Sequence, residues 1–189
     1  MDARILAAIA GALFSSASVA DQLTTAQASM VPLVYQDAEG YKGCGLRVLI
    51  ASMNGNSAKG GEFAVTLFTR PVIGGLAKAG GMRCESPCNN PDQFKYIHGS
   101  DFQISSVEDG VPLKIIKTDK AEEPVFTLLI IDGTDAIDLL MKLRTGVRLQ
   151  YGFQPDDSKF RETYSFVAEP MAKEEEQSFD ACIKGVLKE

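Results

Sequence analysis

VRLQYGFQPDDSKFRETYSFV, running from Val147 to Val167, is the stretch that decides the fold. Val147, Leu149, Tyr151 and Phe153 alternate with Arg148, Gln150 and Gly152, the period-two pattern of a half-buried strand. Pro155-Asp156-Asp157-Ser158 is a turn, and Phe160 to Val167 returns with Tyr164 and Phe166 pointing inward. The two strands are expected to form an antiparallel hairpin. Just upstream the period changes. Ile137, Leu140 and Leu143 recur at helical spacing, with Asp135 placed to cap the N-terminus and Gly146 to end the helix. Downstream, Phe179, Cys182, Ile183, Val186 and Leu187 share one face of a C-terminal helix. The charged run Lys173 to Glu176 reads as its solvated first turn, with acidic side chains toward the positive end of the dipole.

The earlier part of the chain reads as further short strands. Asp21 to Gly40 is polar and mixed, expected to be a loose arm with one edge strand at Val31 to Tyr35. Leu46 to Ala51 and Phe63 to Phe68 are strands on either side of the turn Asn54-Gly55-Asn56-Ser57. The glycine-rich segment Pro71 to Cys88 reads as a loop with at most a short apolar turn at Ile73 to Leu76. Tyr96 to Val107 and Val111 to Ile116 alternate, and Asp109-Gly110 between them is a hairpin turn. Val125 to Ile131 is apolar throughout, as a central strand would be. Short strands without a βαβ rhythm, plus two late helices, predict a mainly β protein, with α+β as the variant. The expected domain is an antiparallel β-sandwich over residues 41–189, with one short internal helix and a C-terminal helix.

Residues 1–20 read as a secretory signal peptide. Arg4 precedes an apolar run from Ile5 to Phe14, and Ser18-Val19-Ala20 presents small residues before Asp21. The run falls short of the ~20 residues that span a bilayer, and no later segment is long and apolar enough to do so. A periplasmic or secreted protein without a transmembrane anchor is expected after cleavage. In an oxidising compartment Cys44, Cys84, Cys88 and Cys182 are expected to pair. Four cysteines allow three connectivities and sequence alone cannot choose. Glu85-Ser86-Pro87 is a turn-prone loop short enough for a Cys84–Cys88 bridge, which leaves Cys44 for Cys182.

Candidate chemistry is sparse. The chain has one histidine, so any histidine-dependent mechanism must use His98. His98, Ser100 and Asp101 have the letters of a hydrolase triad, but near neighbours around Gly99 cannot easily form a nucleophile–base–orienter chain. Cys84, Cys88 and His98 could offer zinc or copper three ligands at awkward spacing, and the disulfide reading is preferred. Three residues between Cys84 and Cys88 also depart from the two of a redox-active pair. Asp132, Asp135 and Asp138 lack the alternation of a calcium loop and suit the start of a helix. Gly74, Gly75, Gly80 and Gly81 make no phosphate loop, because Lys59 before Gly60-Gly61 is misplaced for one. Paired carboxylates for glycoside hydrolysis have no aromatic platform beside them, since tryptophan is absent. No catalytic residue, cofactor or metal is assigned.

At 189 residues with a net charge of −6, the chain suits one domain and is a poor neutraliser of phosphates. Lys42, Arg47, Lys59, Arg70 and Lys78 form no basic stripe, so nucleic acid is not an expected partner.

The C-terminal third carries one family likeness. Asp138 to Gly146 reads DLLMKLRTG, a helix ending in Leu-x-x-Gly, then come the strands to Phe153 and Val167 and Ser178-Phe179-Asp180-Ala181-Cys182. That order resembles the end of the invasion-associated locus B family of small exported bacterial proteins, over about 60 residues. The resemblance implies a β-sandwich-like, non-enzymatic exported protein with a binding role, and it supplies no catalytic residues. The functional expectation is therefore a periplasmic, disulfide-containing binding or accessory protein that recognises a protein or cell-envelope component. Two alternatives stand beside it: an acidic inhibitor or immunity-type protein blocking an enzyme, and a small hydrolase or metal-handling protein using His98.

Overall fold

The computed structural model describes residues 22–38, 40–55, 57–68, 74–84, 88, 93–108 and 110–187. The signal segment, its junction at Ala20–Asp21, Arg70 and Asp109 lie outside these residues. The strands are β1 (Gln22–Thr25), β2 (Gln27–Asp37), β3 (Gly40–Asn54), β4 (Ser57–Phe68), β5 (Gly74–Cys84), β6 (Lys95–Ile97), β7 (Gly99–Ser106), β8 (Ile115–Lys120), β9 (Thr127–Asp132), β10 (Leu149–Pro155) and β11 (Glu162–Phe166). The helices are α1 (Gly133–Arg144) and α2 (Lys173–Val186). Two sheets form a mainly β, sandwich-like arrangement. One runs β1-β11-β10-β7, the other β2-β3-β4-β5-β9-β8 with β6 also on β5. The described pairings are antiparallel except β1 with β11.

The hairpin read from Val147 to Val167 is β10 and β11, paired with Tyr151 opposite Tyr164. Its inward residues build the core. Tyr151 stacks on Phe63 at 5.4 Å between ring centroids, and Phe153 on Phe102 at 5.9 Å. Those rings reach the second sheet where it has no side chains. Gly61 of β4 lies opposite Gly81 of β5. A Cβ at Gly61 would meet the Tyr151 ring at 2.3 Å, and one at Gly81 would meet Phe153 at 2.4 Å. The Tyr151 hydroxyl, wholly buried, donates to the Gly80 carbonyl at 3.0 Å. Burial pushes its pKa well above the usual tyrosine value.

This packing overturns the loop expected at Pro71 to Cys88. Residues 74–84 are an interior strand, and glycines that suggested a loop are packed against neighbours: Gly80 against Phe126, Gly81 against Phe153, and Gly75 against Ile131 and Ala136. The expected Asp109-Gly110 hairpin also fails. Gly110 does turn, at φ +64°, and Leu113 N–H donates to Ile104 C=O. Only the isolated bridge Ser105 to Pro112 forms before the chain leaves for the other sheet. The strand expected at Val111 to Ile116 is β8, starting at Ile115 and paired with β9. Val125 to Ile131 holds β9 one place in from the sheet edge. The edge strand at Val31 to Tyr35 is the middle of the eleven-residue β2, and β1 joins the smaller sheet, so residues 22–25 and 27–37 are strand rather than loose arm.

Helix α1 starts earlier than its expected cap. Asp132, not Asp135, is the N-cap, accepting from Thr134 N–H at 2.8 Å. That bond holds the Asp132 carboxyl below the usual range. Asp135 instead accepts from Lys114 N–H at 3.3 Å. Gly146, at φ +70°, ends the helix as the sequence indicated. In α2, Phe179, Cys182 and Val186 are buried, whereas Leu187 is exposed because it lies past the last turn. Glu175 reaches back to accept from Ala172 N–H at 3.0 Å. Cys182 is bonded to Cys44 of β3, tying the last helix to the sheet, and Cys84 is bonded to Cys88. Arg144 of α1 donates to Asp180 at 2.8 Å and lies over the Phe179 ring, which locks the two helices together.

Candidate functional site

A cavity opens where the sandwich does not close. β7 ends one sheet and β8 the other, and between them lies a cleft of about 800 Å³. Phe102 and Phe126 supply its apolar lining, and His98, Ser100, Asp101, Asp119, Thr127 and Asp156 supply polar groups. His98 occupies the one residue between β6, in the larger sheet, and β7, in the smaller. A chain changing sheets at that point carries the imidazole to the corner of the sandwich.

There His98 Nδ1 meets Asp156 Oδ2 at 2.8 Å, and Nε2 meets Thr127 Oγ1 at 3.3 Å. Thr127 Oγ1 also donates to the Gly99 carbonyl at 3.2 Å. An acid, an imidazole and a hydroxyl thus stand in line, drawn from the β10–β11 turn, the β6–β7 crossing and the start of β9. Chemically, Asp156 fixes the ring with a proton on Nδ1, leaving Nε2 to accept. The Thr127 proton, however, already has an acceptor in Gly99 C=O. Nε2 and Gly99 compete for a single hydroxyl proton, so the arrangement orients the ring better than it primes a nucleophile.

The neighbours named from sequence have other duties. Ser100 and Asp101 line the same cleft but do not bond to His98. Asp101 sits in a left-handed conformation, φ +53°, where β7 bulges against β10, and Arg161 clamps its carboxylate and its carbonyl. Cys84 and Cys88 are joined to each other, so neither is a thiolate ligand beside His98. Asp138 pairs with Lys142 at 3.0 Å, and with Asp132 and Asp135 engaged as above the three do not converge. Among the described residues no group of three potential ligands could hold a metal. Nor is any described helix long and apolar enough to cross a membrane.

A second polar cluster lies on the outer face of the larger sheet. Arg47 forks onto Glu62 at 2.7 and 2.8 Å, and Tyr96 O–H donates to the same carboxylate at 2.9 Å. Its hydrogen bonds to Glu62 raise the Arg47 pKa further. The cluster ties β3, β4 and β6 to one another across the sheet and acts as a staple. Sequence reasoning missed Asp156 and Thr127, which lie 58 and 29 residues from His98. Asp156 was visible only as a turn residue and Thr127 only as part of an apolar run.

No family model, no curated protein and no solved structure matches the chain. What the protein does must be argued from its own residues.

Proposed function

We propose that this is an exported, periplasmic binding or accessory protein that recognises a protein or cell-envelope component through the cleft between β7 and β8. One observation carries the reading. The polar side chains at the centre of the cleft are already satisfied within the protein: His98 by Asp156, Thr127 by Gly99, Asp101 by Arg161. Groups held in this way present a fixed pattern of donors and acceptors over an apolar floor, which suits recognition. The leader-like N-terminus and the two disulfides support export. The resemblance of the C-terminal third to the invasion-associated locus B family supports a binding role.

A hydrolase is the second reading, favoured by the line Asp156–His98–Thr127. His98→Ala separates the two. The imidazole and Asp156 are both well exposed, so their pairing contributes under about 1 kcal/mol and the variant folds. The binding reading expects partner recognition to weaken by no more than about tenfold, because the imidazole is one of several groups that line the cleft. A loss of activity of a hundredfold or more with an unchanged melting temperature would instead install His98 as a base.

A further inference from the structure

The smaller sheet turns a face to solvent opposite the core, and its composition is unusual for so acidic a protein. Leu149, Tyr151, Phe153, Ile104, Tyr164 and Phe166 point inward, so their neighbours along each strand point out. Two rows of these cross the strands. Ser105 lies opposite Gln150, Gln150 opposite Ser165, and Ser165, itself buried, opposite Thr25. In the next row Gln103 lies opposite Gly152, Gly152 opposite Thr163, and Thr163 opposite Leu23. These side chains are hydroxyls, carboxamides and one leucine. The charged side chain at the end of the rows is Arg161, already neutralised by Asp101.

Gly152 makes this face concave. At Gly60, Gly61 and Gly81 a Cβ would come within 1.8, 2.3 and 2.4 Å of another atom, so packing requires glycine there. At Gly152 the nearest atoms would be Thr163 Oγ1 at 3.3 Å and Arg161 Cδ at 3.6 Å, and its φ is not left-handed. A side chain there would need Thr163 to give by only a few tenths of an ångström, and β7 and β10 lose register at the next residue. Its missing side chain leaves a depression of about 260 Å³ between the Gln103 and Thr163 side chains. A glycine inside a strand often marks a bulge or a close approach from outside, and Gly152 stands both beside the bulge and at the floor of this depression.

We infer that this face binds a neutral saccharide chain, with one ring over Gly152 and its hydroxyls bonded by Gln103, Ser105, Gln150 and Thr163. Carboxamides and hydroxyls both donate and accept, as sugar hydroxyls do. The charged side chain that lines the depression is the paired Arg161, and the exposed Arg148, two residues before Gln150, lies outside that lining. Leu23, 55% exposed at the rim, offers an apolar surface to the C–H face of a ring. An extended peptide is the other neutral polymer, but sheets bind peptides along a free edge. These rows instead cross the strands. The volume suits a single ring and is smaller than the ~300 Å³ at which sites for drug-sized molecules begin.

The inference rests on the reading of the protein as a recognition module and names the chemistry of one ligand. The test titrates the isotope-labelled mature chain with cellotetraose, maltotetraose and chitotetraose, reading the side-chain amide resonances of Gln103 and Gln150. At least one sugar should shift them saturably, with a Kd on the order of 1 mM or tighter. Gly152→Val should weaken that binding at least tenfold while the melting temperature and backbone spectrum are kept. If Gly152→Val does not fold, Gln150→Ala should show the same loss. No shift from any of the three sugars at about 10 mM, undiminished binding by the folded variant, or shifts from tetra-alanine alone would overturn the inference. A failure here, with a partner still captured at the β7–β8 cleft, would leave the recognition reading intact.

Discussion

Cys182→Ser will destabilise the protein by about 2–5 kcal/mol and release α2 to proteolysis before the rest of the chain unfolds. The bridge from Cys44 closes 138 residues of sequence. Loops of that size correspond to ~4–5 kcal/mol in the chain-entropy account, and real proteins often show less. The other half of the effect is local. Cys182 is buried between Phe179 and Val186 on the face that α2 lays on β2 and β3. Serine there would bury a hydroxyl and free the thiol of Cys44. Denaturant melts of the two proteins, with limited proteolysis at low denaturant, measure both parts. Cys88→Ser should cost clearly less, because a bridge spanning four residues removes little unfolded-state entropy. Equal losses from the two variants would mean that the long bridge does not organise the C-terminal helix.

The second large effect is expected where the sheets touch. Gly81→Val places a branched side chain where a Cβ alone would be 2.4 Å from the Phe153 ring and 2.6 Å from Ile97. Phe153 cannot withdraw, since it is stacked on Phe102 and fully buried. Overpacking of this kind costs about 1–3 kcal/mol and sometimes more. Phe153→Ala should cost about 3–5 kcal/mol by the opposite fault, a cavity. Combined, the two should be less damaging than their sum, by at least about 0.5 kcal/mol, because each relieves the other. Additive losses would show that the glycine and the ring do not share one space.

These two predictions mark what sequence could and could not show. The β10–β11 hairpin was legible because one buried face imposes a period of two, and nothing distant is needed to see it. The α2 face and the position of Cys182 were legible for the same reason at a period of 3.6. Strand β5 was not. Its glycines look like a loop in isolation, and they become a strand only beside Tyr151 and Phe153, some 70 residues later. The turn at Gly110 is present, but with a different consequence from the expected hairpin. Turn chemistry is local, whereas the choice of sheet for β8 was made by β9. In the cleft, His98 was conspicuous as the single histidine, but its partners come from two other elements and leave no spacing to read.

The most direct test of recognition at the β7–β8 cleft is photo-crosslinking in the producing cell, with a photoreactive residue at Ser100 or, as control, at Lys184 on α2. Both positions are exposed. The account predicts a discrete adduct from position 100, in the periplasmic fraction, on a chain whose mass begins at Asp21. It predicts none from position 184. An adduct from position 184 alone, or no adduct from position 100 on correctly processed protein, would contradict it.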